Sequence, residues 1–304
     1  MELTVLICTH NRAALLEKTI TSILACRRPE NCDISILVVA NACNDDTLKT
    51  VQKLADNSSD IPVRYLEEPI AGKSNALNLA IDNIPSGYIC LIDDDHRVDS
   101  RYFESVAQSI RQYPGVPIFC GQIIPDWTGD EPAWIHDKGK YKIYPLPIPH
   151  FELGNAPFRV NRNNKLPGGG NLIIERKVFD SIGNFSTALG PQRHNLAGSE
   201  DSDFILRALD AGVDIQYSPT IVQYHYVDND RLKFKYLLLK SFQRSKTIML
   251  AKHPQQRTIP KYFWAKLANY FFAMFLPGGI ARFRYYAMRV AATLGEISGL
   301  ISPR

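Results

Sequence analysis

The sequence has little of what would make it membrane-spanning or zinc-stapled. Its longest uncharged stretch, Leu267–Ala281, is 15 residues and includes Asn269, Pro277, Gly278 and Gly279, whereas a spanning helix needs about 20 apolar residues. Its 6 cysteines form no CxxC pair and no CxxC…HxxxH spacing, which excludes the usual tetrahedral zinc shells. Cys8, Cys26, Cys32, Cys43, Cys90 and Cys120 all fall in the first 120 residues. Cys8 and Cys90 sit in apolar runs, where a free thiol packs as a small hydrophobe and a reducing compartment suits it. The amino terminus, MELTVLICTHNR, lacks a basic leader, so it reads as a first core strand and not a signal peptide. A cytoplasmic location is expected.

Acid is what the last quarter lacks. Residues 231–304 hold 14 Lys and Arg against 1 acid, Glu296, while residues 1–230 hold 21 against 30, so a net charge of +4 conceals −9 and +13. A basic tail on an acidic body points to an anionic partner: nucleic acid, membrane or a phosphorylated ligand. With 304 residues, 45% hydrophobic and 22% charged, the chain is globular rather than disordered and is long enough for one large or two modest domains.

The first half alternates short apolar runs with helical periodicity. Leu3–Cys8, Ile34–Ala40, Val63–Leu66 and Tyr88–Ile92 read as strands, and Arg12–Cys26 and Ala76–Ile84 as helices; a further helix starts at Asp45 and Asp46. Continuous apolar strands separated by helices predict βαβ units and a parallel sheet covered on both faces. Ligands in such sheets bind beyond the carboxyl ends of the strands, where Thr9–Arg12, Asn41–Asp46 and Asp93–Asp95 fall. Residues 125–167 are irregular, with Trp127, Trp134 and five prolines from Pro132 to Pro157. Strand and helix patterns return at Asn171–Ile174, Arg176–Ile182, Ser202–Ala211, Val213–Tyr217 and Ile221–His225, and the chain is helical and basic from Asp230. No internal repeat is visible.

Three carboxylates in a row, Asp93-Asp94-Asp95, raise one another's pKa at a buried strand end unless a cation lies among them. A divalent metal is the simplest compensation, and oxygen ligands favour Mg2+ or Mn2+; a solvated acidic turn is the plainer alternative. Glu200-Asp201-x-Asp203 precedes an amphipathic helix. These acids either cap that helix or supply a general base toward a hydroxyl. Gly168-Gly169-Gly170-Asn171 allows a close backbone approach to a ligand. His225 ends an apolar run as a structural or metal-binding imidazole, His10 touches nucleotide or caps its loop, and Lys73 meets phosphate or solvent.

Seven segments in this order resemble the family 2 inverting glycosyltransferases of the GT-A fold. They are ICTHNR (7–12), VVANACNDDT (38–47), AGKSNALNLAI (71–81), the aspartates at 93–95, PGGGNLIIERKVFDSIGNF (167–185), GSEDSDFILRALDAG (198–212) and YSPTIVQYHYV (217–227). The resemblance implies an α/β GT-A (Rossmann-like) fold with a mixed, mainly parallel central sheet flanked by helices and a helical C-terminal extension. It implies a glycosyltransferase domain over 1–230, with a nucleotide-binding half to about 98 and an acceptor half from about 99 to 230. By position, Thr9, Asn11, Arg12, Asn41, Lys73, Asp93, Asp94, Gly170 and Asn171 would bind the nucleotide sugar. Asp95, Asp93 and His225 would hold Mn2+ or Mg2+, and Asp201 would be the general base, assisted by Glu200. The donor expected is a UDP-sugar ahead of GDP- or dTDP-sugars, and the acceptor a glycan or lipid-linked hydroxyl, as in polysaccharide or glycolipid synthesis. Two departures matter. Ala40 stands where the family often has Asp, which puts a base or ribose contact in question, and Phe242-Gln243-Arg244-Ser245-Lys246 lacks the Trp of the processive QxxRW signature, which favours transfer of a single sugar.

Residues 231–252 read as a basic amphipathic helix, and aromatics interleave with cations from Tyr262 to Tyr286. This composition suits peripheral contact with an anionic membrane, on the inner face if the protein is cytoplasmic, or packing of the aromatics on the catalytic domain. Nucleic acid is not expected, because no recognition motif is present and the body is acidic. Two competing readings keep the α/β plan: an inactive glycan- or membrane-binding scaffold, and a sugar nucleotidyltransferase. The second normally has a Gly-rich loop after the first strand, and THNRAALLEK has no Gly.

Overall fold

The computed structural model describes residues 1–58, 60–143, 147–188, 200–252 and 258–301. The loop 189–197, expected to shape acceptor preference, lies outside the described residues. The chain divides into two compact units, Met1–Asp126 with His150–Tyr226, and Trp127–Pro149 with Val227–Arg304.

The first unit is an α/β sandwich. Its elements are β1 (Glu2–Thr9), α1 (Ala13–Leu24), β2 (Asp33–Asn41), α2 (Thr47–Asn57), β3 (Val63–Glu68), α3 (Lys73–Asp82), β4 (Tyr88–Leu91), β5 (His96–Val98), α4 (Tyr102–Gln112), β6 (Ile118–Asp126), β7 (Phe158–Arg159), β8 (Leu172–Glu175), α5 (Val178–Ile182), α6 (Glu200–Asp210) and β9 (Ile215–Tyr226). The sheet order is β3-β2-β1-β4-β8-β6-β9-β5, with β7 also on β9. β1 to β4, β6 and β9 run one way, and β5, β7 and β8 run antiparallel to them. The expected GT-A arrangement is therefore present.

Side-chain alternation explains why both faces are covered. Leu3, Val5 and Ile7 of β1 and Ile34, Ile36 and Val38 of β2 pack with Leu16, Ile20 and Ile23 of α1 and with Tyr102, Phe103 and Val106 of α4. The opposite face takes Leu6, Leu37 and Val39 against Ala76, Leu77, Ala80 and Ile81 of α3 and Phe204, Ile205 and Ala208 of α6. Each fully buried Leu, Ile or Val is worth about 1.5–3 kcal/mol, so the strand ends are held rigidly. The two runs predicted around Pro219 form one strand, β9, whose pairing with β6 shifts register between Cys120 and Gln122; a residue without N–H is tolerated at such an irregularity.

The second unit is helical: α7 (Phe234–Lys252), α8 (Lys261–Phe275) and α9 (Gly279–Ile301). The irregular stretch Trp127–Pro149, grouped with the acceptor half by the sequence pattern, belongs to this unit. Ile135, Ile143 and Ile148 share a small core with Val227, Leu232, Leu237 and Met288. A Cβ on Gly295 would lie 2.1 Å from the Phe242 carbonyl oxygen, so only glycine lets α7 and α9 touch there. The single-faced amphipathic pattern expected for α7 is blurred: Leu237 is buried, whereas Leu239 and Ile248 are exposed. No described helix is long and apolar enough to cross a membrane.

Candidate active site

The carboxyl ends of β1, β2 and β4 open into a cavity of about 340 Å³ lined by Thr9, His10, Arg12, Asn41, Lys73, Asp93–Asp95 and His225, with Cys8 in its wall. Its chemistry begins with three aspartates that face three different partners.

Asp93 pairs with Lys73 at 2.5 Å. Burial works against the charged carboxylate, but Lys73, with His96, outweighs it and holds Asp93 well below the usual carboxylate range. Burial likewise works against the Lys73 ammonium, and Asp93 overrides it, with a smaller contribution from Glu200. Lys73 thus couples the two acidic motifs electrostatically. Lys73 opens α3 directly after Gly72, whose φ of 144° lies where glycine is favoured.

Asp94 is buried; its Oδ2 accepts from Thr9 Oγ1 at 2.7 Å and its Oδ1 from Arg12 at 2.9 Å. Burial raises its pKa despite Arg12. The Thr19 hydroxyl donates to the Asp94 carbonyl at 3.0 Å. Asp95 shares the Arg12 guanidinium at 3.0 Å and lies 3.6 Å from His225 Nε2. Burial drives the Cys8 thiol up to about 12, so it is a wall and not a nucleophile at neutral pH.

The position after the aspartates supplies a residue that the sequence reading missed. β5 pairs antiparallel with β9 and sets His96 opposite His225. Gln223 Nε2 donates to the Leu91 carbonyl at 3.1 Å and to Asn171 Oδ1 at 2.9 Å. That orientation turns Gln223 Oε1 to His96 Nδ1 at 2.6 Å, so Nδ1 is the donor. His96 Nε2 is left buried without a hydrogen-bond partner among the described residues. His225 Nδ1 donates to the Tyr226 carbonyl at 2.6 Å, which turns its Nε2 to Asp95. Burial lowers the His225 pKa more than Asp95 raises it, favouring the neutral imidazole. Ligand atoms of Asp95, His96 and His225 lie within 4.8 Å of one another. An unpartnered buried nitrogen costs about 1–3 kcal/mol, and a metal ion at this group would satisfy it. Two imidazoles and a carboxylate fit such an ion, and Asp93, whose Oδ1 is held by Lys73, keeps its Oδ2 3.9 Å from His96 Nε2.

The three-glycine turn connects the halves of the site. Asp201, in the first turn of α6, accepts from the Gly169 N–H at 2.6 Å through Oδ2. A Cβ on Gly170 would lie 2.6 Å from Asp93 Oδ2 and 2.8 Å from His96 Cε1. Adjacent Cα atoms are about 3.8 Å apart, so Asp201 and Asp93 flank neighbouring residues of one turn. Glu200 is buried beside it.

Other expected site residues act as framework. Asn41 donates to the Ile70 and Glu68 carbonyls at 2.7 and 3.2 Å and accepts from Gly72 N at 2.7 Å, bracing the Lys73 turn. Asn11, at φ 53°, accepts from Asn44 N at 2.8 Å and ties two loops together instead of lining the cavity. Asn171 is buried and uses its amide on the Gln122 and Ile221 carbonyls as well as on Gln223 and Tyr102. It holds the sheet and has no group left for a sugar. His10 Nδ1 bonds the Asn41 carbonyl at 2.6 Å, leaving its other ring nitrogen at the cavity.

Three comparisons bear on this site. The family model for glycosyl transferase family 2 matches residues 4–183. An uncharacterized glycosyltransferase of Mycoplasma genitalium is 28% identical over 97 residues, 31% of this chain and 32% of that protein, so the match spans about a third of the relative's length. Among solved structures, the mannosyltransferase PcManGT from Pyrobaculum calidifontis, in complex with GDP-Man and Mn2+, shares the fold with a TM-score of 0.59 at 17% identity, over 98% of this chain and 86% of that one. S. aureus TarS 1-349 in complex with UDP gives 0.56 at 14% identity, over 98% and 91%. The chain belongs to glycosyl transferase family 2 and has the GT-A fold.

Proposed function

We propose that the protein moves one sugar from a nucleoside diphosphate sugar to an acceptor hydroxyl, inverting the anomeric carbon, with Asp201 as general base. The observation that supports this most is the glycine turn, which holds Asp201 by the Gly169 N–H and packs Gly170 against Asp93. A base for the acceptor and the carboxylates that serve the diphosphate then stand on two sides of one backbone segment. Asp201 receives the proton as the acceptor oxygen bonds to the anomeric carbon, while the bond to the diphosphate breaks and its electron pair leaves with the diphosphate. Lys73 offers an ammonium to the phosphates, with its charge held by Asp93 and Glu200. Arg12 keeps Asp94 and Asp95 oriented. A divalent ion at Asp95, His96 and His225 would neutralise charge on the leaving diphosphate. Imidazole nitrogens favour Mn2+ over Mg2+, which takes oxygen ligands.

The donor is read as a UDP-sugar first; the two structural neighbours bind UDP and GDP-Man, so both bases belong in the test. Thermal-shift titration of UDP-, GDP- and dTDP-sugars with and without Mn2+ should stabilise the protein with one donor, more strongly with metal. No donor-dependent shift would sink the reading and favour an inactive scaffold.

Peripheral contact with an anionic membrane is proposed for the second unit. Phe271, Phe272, Phe275, Leu276 and Ile280 are all exposed at the end of α8 and the start of α9. Aromatic and aliphatic side chains exposed together on a strongly cationic segment suit a lipid interface.

A further inference from the structure

A cavity larger than the one at the glycosyl site lies in the second unit. It measures about 520 Å³ and is walled by one stripe each of α7 and α9, closed by Lys142 and by Pro147, Ile148 and Pro149. Its rim carries Lys142, Lys240, Arg244 and Arg289, with the hydroxyls of Ser241 and Ser245 between them. Leu237 and Met288, both buried, and Ala292 give it an apolar floor, and the exposed Ile248 adds an apolar side chain to its margin.

No carboxylate answers these cations. Glu296, the only acid of residues 231–304, is bonded to Lys266 at 2.7 Å. None of the four rim cations has a carboxylate oxygen within 4.0 Å among the described residues. Burial, then Arg231 and Arg244, lowers the pKa of Lys240. Arg289 is fixed on the ring of Tyr285, 4.0 Å from its centroid, and also bonds that hydroxyl. A guanidinium locked on an aromatic face is preorganised for a planar, multidentate oxyanion.

We propose that this cavity binds the phosphate of an anionic amphiphile, with the cations and serines on the phosphomonoester and the floor on the first methylenes of its chain. A phosphomonoester has the charge and the several acceptor oxygens to answer separate cations. An apolar floor beneath them suits a tail and would be wasted on free phosphate. None of this cavity's lining residues lines the glycosyl cavity.

Calorimetric titration of the full chain with inorganic phosphate and with hexyl phosphate tests the two parts. Hexyl phosphate should bind about tenfold more tightly, the effect of burying two or so methylenes. Lys240→Ala with Arg244→Ala should weaken both ligands about tenfold or more. Ile248→Ser, at an exposed position, should weaken hexyl phosphate alone. Phosphatidylcholine vesicles doped with dodecyl phosphate should then bind the protein better than vesicles doped to matched charge with dodecyl sulfate. Equal affinity for the two phosphates, or equal binding to the two vesicles, overturns the amphiphile. Unchanged affinity in the folded double variant, checked by its melting curve, overturns the site. Neither result depends on sugar transfer, so the glycosyltransferase reading is judged separately.

Discussion

In the first unit each carboxylate of Asp93–Asp95 has a cation or hydroxyl within 3.0 Å, while in the second Lys142, Lys240 and Arg244 stand beside no described carboxylate at all. The first unit answers its three aspartates internally and leaves His96 Nε2 buried with no hydrogen-bond partner among the described residues. The second pairs Lys266 with Glu296 but leaves the cations lining its cavity without a described carboxylate and several aromatics open, with Phe272 at 68% and Phe275 at 64% exposure. Buried charge must be paired or moved in pKa, whereas exposed charge costs little. A site built from pairs is therefore tuned for chemistry in a fixed geometry. An unpaired surface awaits its counter-charge from outside the chain.

That contrast can be broken most severely at Asp201. Asp201→Asn keeps a carbonyl oxygen for the Gly169 N–H but removes the base, so turnover should fall about 10²–10⁴-fold with donor affinity unchanged. Loss of donor binding instead would make Asp201 a structural cap. Gln223→Met removes the acceptor that orients His96. Mn2+ affinity should drop about 10–100-fold, read from the free-ion electron paramagnetic resonance signal, and an unaltered affinity would remove His96 from the metal group. In the second unit, Phe271→Ser with Phe275→Ser should lower co-sedimentation with anionic vesicles about tenfold, leaving donor binding in the first unit untouched. Unchanged sedimentation would mean that these rings do not meet lipid.

The smallest effect is on pH. His225 has a lowered pKa in the folded chain, so the unfolded chain takes up the proton first. Its share of stability is complete above the ordinary histidine value of about 6.5 and declines as pH falls below it. The Asp93–Lys73 pair, with Asp93 held far below the usual range, keeps its share above about 3.9 and loses it progressively as the pH falls below that value. Denaturant midpoints should fall modestly between these two values, and replacing His225 with Gln should flatten that fall. A rise in stability on acidification would contradict the sign.

Much of this was legible because strands with two buried faces announce themselves as unbroken apolar runs. Leu3–Cys8 and Ile34–Ala40 mark β1 and β2 almost to their ends, and their termini locate Thr9, Asn41 and the aspartates. His96 was not legible in the same way. It follows Asp95 directly, but its meaning depends on the register of β5 with β9, which sets it opposite His225 across a gap of more than a hundred residues. The signal was there in one histidine after the aspartates and another at the end of an apolar run, and only pairing could join them. Asn171 misled for the opposite reason. Beside three glycines it looks exposed, yet it is buried among sheet carbonyls. The stretch 127–149 has no periodicity to read, and its three isoleucines find their core only once α7 and α9 exist.

The central claim is a direct displacement assisted by Asp201, with no covalent enzyme intermediate. Proton NMR of the glycoside formed from an α-linked UDP-sugar tests it, since the anomeric coupling reports the configuration of the new bond. The account predicts a β-linked product. An α-linked product would mean retention, and would contradict the assignment of Asp201 as a base acting on the acceptor.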